Sequence, residues 1–107
     1  MTQKNLFTDI PKILHEELFE TLLQSSGFRI ERIVSCGHCS PEGFWYDQDD
    51  NEWVILLKGR AILSFEGNNE TIHLKPGDYL HIEKHVRHRL EWTDPKQESV
   101  WLAVHYE

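Results

Sequence analysis

Cys36-Gly37-His38-Cys39 is the densest group of reactive side chains in the sequence. Two cysteines spaced by two residues suit dithiol redox chemistry, which works when the first thiol caps a helix N-terminus that lowers its pKa. Here a strand-like stretch precedes the group and Ser40-Pro41-Glu42-Gly43 follows as a loop. The expectation is therefore two ordinary free thiols, with redox chemistry the weaker alternative. His85 and His88 could join Cys36 and Cys39 around a zinc ion. The gap between the pairs far exceeds the roughly 12–15 residues of a zinc finger, however, and a solvated loop His85 is the simpler reading. A third constellation is better formed. Tyr46 and Gln48 are two apart and share one face of any strand, while Glu52 heads a run in which Val54 and Leu56 continue one face. A carboxylate at the head of an apolar face, with polar side chains beside it, can line the mouth of a pocket or bind within it.

The elements that must position these groups are mostly strands. Candidate strands are Arg29–Ser35, Phe44–Gln48, Trp53–Leu57, Ala61–Phe65, Thr71–Leu74, Tyr79–Ile82, His88–Thr93 and Val100–Tyr106, rich in β-branched and aromatic residues. Turn signals such as Pro41-Glu42-Gly43, Lys58-Gly59, Gly67-Asn68-Asn69 and Pro76-Gly77-Asp78 separate them. Many short strands and tight turns point to an all-β sandwich or barrel. The N-terminal part reads differently. Ile10, Ile13, Leu14, Leu18, Leu22 and Leu23 recur at helical spacing, Thr8 and Asp9 offer caps, and Gly27 suits a helix end. The pattern predicts a helix over Pro11–Gln24. The domain reading is thus a helical segment over 1–27 and a β-barrel domain over 28–107.

Composition narrows the function classes. A chain of 107 residues holds one compact domain, and 39% hydrophobic with 27% charged residues excludes wholesale disorder. Eighteen acidic against eleven basic residues give a formal charge of −7, which disfavours nucleic acid as a partner. No apolar run approaches the ~20 residues of a bilayer span, and Met1–Asp9 has no apolar signal core. The expected compartment is the cytoplasm, with no membrane partner.

Two stretches resemble the cupin motifs. Glu52-Trp53-Val54-Ile55-Leu56-Leu57-Lys58-Gly59 is similar to the second half of the first motif, in which a glutamate is followed after six residues by a glycine. Pro76-Gly77-Asp78-Tyr79-Leu80-His81-Ile82 with His88 resembles the second motif, in which a histidine lies eleven positions after the glycine. The resemblance spans about Ile30–Tyr106. It implies a double-stranded β-helix, or jelly-roll barrel, with a small-molecule pocket inside. The motif's His-x-His is replaced by Tyr46-Asp47-Gln48, Glu83 stands at its second proline and His85 at a glycine.

Of the four usual metal ligands, Glu52 and His88 are retained. The resemblance implies Gln48, Glu52 and His88 as the ligands of Fe(II), Mn(II), Ni(II) or Zn(II), with Tyr46 or water completing the set. His105 can add an imidazole if its strand phase faces the pocket; Trp101, Ala103 and His105 share a face. Trp92, at strand spacing from His88 and Leu90, is expected beside the cavity. Two functions follow: a divalent-metal enzyme using Glu52 and His88, or a metal-free pocket that binds or senses a small ligand. A homodimer is also implied by the resemblance.

Overall fold

The computed structural model describes all 107 residues, Met1–Glu107. Eight strands follow in chain order: β1 (Leu18–Ser25), β2 (Phe28–Ser35), β3 (Asn51–Lys58), β4 (Ala61–Phe65), β5 (Thr71–Leu74), β6 (Tyr79–Ile82), β7 (His88–Thr93) and β8 (Ser99–Tyr106). They form a five-stranded sheet ordered β1-β2-β8-β3-β6 and a three-stranded sheet ordered β5-β4-β7, with every pairing antiparallel. The inner faces enclose a core of Ile33, Val54, Leu56, Ala61, Leu63, Leu74, Ile82, Leu90, Trp101 and Ala103.

Alternation decides which residues enter that core. Along β3, Glu52, Val54 and Leu56 are buried while the residues between them are partly exposed. The register extends this face across the sheet. Glu52 pairs with Ile82 and His105, and His105 with Arg29. Val54 pairs with Leu80 and Ala103, and Ala103 with Glu31. Leu56 pairs with Trp101, and Trp101 with Ile33. The inner face is therefore polar at the Glu52–His105–Arg29 row, carries one charge, Glu31, in the Val54–Ala103 row two residues further on, and is apolar at the Leu56–Trp101–Ile33 row.

The expected N-terminal helix is absent, and Leu18–Ser25 is instead an edge strand hydrogen-bonded to β2. Ser25 pairs with Phe28, so Ser26-Gly27 is a two-residue hairpin loop in which Gly27 takes φ +84°. A positive-φ glycine serves a helix end and a hairpin turn equally well, so the local signal was ambiguous. Pairing with the open edge of β2 outweighs the helical spacing of the leucines. A register shift between Thr21 and Leu23 absorbs one residue, and Leu22 and Leu23 are about half exposed.

Residues 1–17 form no regular element. They are tied to the outer face of β2 by Arg32, only 5% exposed. Its Nη1 donates to the carbonyls of Leu6 at 3.1 Å and Thr8 at 2.7 Å, and its Nε donates to Glu20 at 2.6 Å. The remaining strand expectations are met within two residues at each end. The exception is Phe44–Gln48, which contributes a single bridge, Tyr46 to His88. No helix of the structure is long and apolar enough to cross a membrane.

Candidate functional site

A cavity of about 230 Å3 opens between the two sheets. β3 contributes Glu52 and Val54, β8 Trp101 and His105, and β2 Arg29, Glu31 and Ile33. The facing sheet adds Leu63, His88 and Leu90, and the loop before β3 adds Tyr46 and Gln48. Tyr46, Gln48, Glu52, His88 and His105 thus line one space.

His88 is held on three sides. Its N–H donates to the Tyr46 carbonyl at 3.1 Å and its own carbonyl accepts from Tyr46 N–H at 2.7 Å. The Tyr46 ring stacks on the imidazole at 5.5 Å, and Phe65 lies 5.9 Å away on a tilted plane. Nδ1 lies 2.9 Å from the Val86 carbonyl, which can only accept, so Nδ1 carries the proton in the neutral ring. Nε2 therefore presents its lone pair to Glu52, whose Oε1 lies 3.8 Å away. That separation exceeds a hydrogen bond. A third polar atom can sit beside both groups and bond to each.

The cavity's carboxylates are driven apart in acidity. Burial pushes the Glu52 carboxyl above its ordinary pKa, outweighing the attraction of His105 and His88. Glu31 moves the other way, held below the ordinary range chiefly by its hydrogen bond from His105, whose Nε2 lies 2.7 Å from Glu31 Oε1. Arg29 Nε supports Glu31 from 3.3 Å. At the mouth, burial raises Glu17 although Ser35 Oγ donates to it at 2.6 Å, and burial also raises the Tyr46 phenol.

Arg29, Glu31 and Glu17 were not among the sequence candidates. The stretch Arg29-Ile30-Glu31-Arg32-Ile33-Val34 alternates charged and apolar residues in both phases, so only pairing with β8 reveals which charges face inward. Trp92 is a correction. It is 41% exposed and absent from the cavity wall. β7 shifts register between its Leu63–Leu90 and Ile62–Trp92 pairs, which leaves Glu91 as an extra residue. One inserted residue inverts the side-chain phase, so Thr93 is buried and Trp92 turns outward.

The donors do not assemble a metal centre. No three His, Cys, Asp or Glu side chains converge in an arrangement that could hold a metal ion. Glu52 and His88 stand as a pair, and His105 is committed through Nε2 to Glu31. An amide and a neutral phenol, Gln48 and Tyr46, are weak substitutes for the missing imidazoles. Cys36 and Cys39 are free thiols in the loop after β2, and Cys36 Sγ lies 3.5 Å from the Pro95 carbonyl. No helix begins at them. His85 takes φ +64°, which explains why a glycine suits its position, and its Nδ1 lies 2.8 Å from Asp47 at the exposed rim.

The chain is similar over its whole length to a candidate mannose-6-phosphate isomerase from Ralstonia eutropha JMP134. The two are 45% identical, the match covers 100% of this chain and 99% of that one, and the TM-score is 0.95. An RmlC-like cupin with a double-stranded β-helix fold from Methanocaldococcus jannaschii matches at 18% identity, 92% and 86% coverage and a TM-score of 0.70. A cupin superfamily protein from Desulfitobacterium hafniense DCB-2 matches at 19%, 91% and 83%, and 0.73. These two speak for the fold alone. No curated protein matches the chain. The cupin domain family matches residues 37–105, which begin just after β2 and take in every strand from β3 to nearly the end of β8. With the strand order and the inward Glu52 and His88 in accord, the chain belongs to the cupin domain family.

Proposed function

We propose that the barrel cavity binds a small organic molecule and that Glu52 and His88 exchange a proton with it. One observation carries this reading: a buried carboxyl with raised pKa faces the free Nε2 lone pair of His88 across 3.8 Å, inside a cavity. A buried carboxyl whose pKa is raised, facing an imidazole, is suited to give and take a proton. A substrate hydroxyl or carbonyl oxygen lying between them can be hydrogen-bonded by both. The opposed acidities of Glu52 and Glu31 support separate roles, with Glu52 in proton transfer and Glu31 holding His105 in place. The Ralstonia protein carries an isomerase's name, and isomerisation of an α-hydroxycarbonyl compound is a proton transfer between neighbouring carbons.

The experiment is solvent-deuterium wash-in. Hydroxyacetone and D-mannose are incubated with the protein in D2O, and carbon-bound deuterium is followed by NMR. Wild type is expected to accelerate exchange. Glu52→Gln and His88→Ala should each reduce it by roughly 100-fold or more. Should wild type bind such compounds without exchanging any carbon-bound proton, the proton-transfer reaction is abandoned and the cavity is read as a binding module.

A further inference from the structure

The central strands of the five-stranded sheet are apolar in both phases. β3 reads Trp53-Val54-Ile55-Leu56-Leu57 and β8 reads Val100-Trp101-Leu102-Ala103-Val104, with no charged side chain in either run. An antiparallel sheet with one face in water alternates apolar and polar residues, whereas unbroken apolar runs belong to strands covered on both faces. Val54, Leu56, Trp101 and Ala103 face the core. Trp53, Ile55, Leu102 and Val104 face away from it. The register joins these four into one patch with Ile30: Trp53 pairs with Val104, Ile55 with Leu102, and Val104 with Ile30. All five are partly exposed. At the flanks Phe28 is 37% exposed, Leu23 54% and Tyr79 63%.

The chain carries a formal charge of −7, yet on this face a single acid and a single base occur, Glu20 and Arg32, and they pair with each other. Arg32, Val34 and Val100 at that end are buried, and Arg32 holds residues 1–17 against it. Five strands about 4.8 Å apart and up to eight residues long make a face of about 24 by 26 Å, of which roughly 500 Å2 lies beyond that segment. Single apolar residues on a surface need no partner, but a charge-free patch of this size with aromatic side chains has the composition of an interface core.

We propose that this face docks on the same face of a second copy of the chain, sheet against sheet about a twofold axis. Charge, shape and area each select a second copy. The net negative charge lies off this face, so two copies repel each other except where the face itself meets its equal. A flat apolar sheet packs on another sheet with strand directions within about 30° and about 10 Å between layers, and a second copy brings a sheet of the same size. Two such faces together remove about 1,000 Å2, the size at which specific interfaces begin. An interface of this kind is self-complementary and closes at two copies. Trp53 with Tyr79, and His81 with Tyr106, form aromatic pairs on this face, and their polar atoms can reach water at its rim. The cavity lies behind the opposite face of the sheet, so the docking is independent of what the cavity binds.

The test is analytical ultracentrifugation of the full chain between about 1 and 100 µM. Wild type is expected to sediment as a dimer of two 12.7 kDa chains. Val104→Lys puts a charge in the middle of the patch and should weaken the dimer at least 100-fold, and Tyr79→Lys, nearer its edge, about tenfold. Trp92→Lys, on the outside of the other sheet, should leave it unchanged. Circular dichroism shows which variants fold. If Val104→Lys does not, Tyr79→Lys decides, because that ring is already 63% exposed in the single copy. A wild type that stays monomeric at 100 µM overturns the proposal and leaves the face to a different partner. A dimer that survives both lysine changes on this face, or one that Trp92→Lys dissociates, overturns the assignment of the face.

Discussion

Glu52 shows most directly how one residue's surroundings set its chemistry. It is 6% exposed, and burial raises its carboxyl pKa above that of the unfolded chain. The folded protein therefore binds more protons than the unfolded one over that interval, and stability falls as pH rises through it. Glu52→Gln removes this cost while keeping the shape. Its Tm should exceed that of wild type by a few degrees at pH 7, and the difference should close below about pH 4. Glu31 has the opposite sign, because the His105 hydrogen bond lowers its pKa. Its contribution is present above the unfolded carboxylate pKa and is lost as pH falls through the folded value. Glu31→Gln should accordingly lower Tm at pH 7 and lose its effect in acid. Thermal melts of both variants from pH 3 to 8 check the pair; curves displaced in the same direction at pH 7 would contradict the assignment.

At the scale of elements, two contacts join parts that sequence places far apart. Gly59, with φ +93°, lets the β3–β4 turn press against the start of β8. A Cβ there would lie 2.2 Å from Ser99 Oγ and 2.6 Å from its Cα, so backbone would have to move. Ser99 Oγ also bonds both the N–H and the carbonyl of Arg60, at 3.3 and 3.2 Å. Gly59→Ala combines a steric clash with an unfavourable φ and should cost about 2–4 kcal/mol, measured by urea denaturation. Arg32 is the second contact, joining the irregular residues 1–17 to β2. Arg32→Met should leave the barrel folded but free that segment, so trypsin should cut at Lys4 and Lys12 at least tenfold faster. Unchanged cleavage would mean that other contacts hold the segment.

At the scale of the whole molecule, a small barrel depends on a few fully buried side chains. Leu56 is 0% exposed, lies on the inner face of β3 and pairs with Trp101. Leu56→Ala should cost about 2–5 kcal/mol and lower the single thermal transition accordingly. The donor arrangement also predicts the composition of the purified protein. Elemental analysis of untagged material should find well under one transition metal per chain, since no three His, Cys, Asp or Glu side chains converge. A full equivalent that disappears in His88→Ala would restore the metal-dependent reading.

The spacings of Glu52 to Gly59 and of Gly77 to His88 carried the cupin resemblance, which implied the jelly-roll barrel and the inward Glu52 and His88, while the strands and the turns between them were legible directly. These features are local: period-two alternation and turn chemistry are written residue by residue. Three features required the tertiary structure. The segment Leu18–Ser25 has helical spacing, yet the unpaired edge of β2 draws it into a strand. The extra residue at Glu91 reverses the phase of Trp92, and nothing in His88–Thr93 marks where a bulge falls. The inward phase of Arg29, Glu31 and His105 is decided by register between β2, β8 and β3, in which Glu31 and His105 meet from 74 residues apart. Alternation tells which residues share a face but not which face meets the core, and a slip of one residue exchanges the two. Cross-strand pairing makes that choice, because it must bury Leu56, Trp101 and Ile33 together, and the polar groups two and four residues away are carried inward with them.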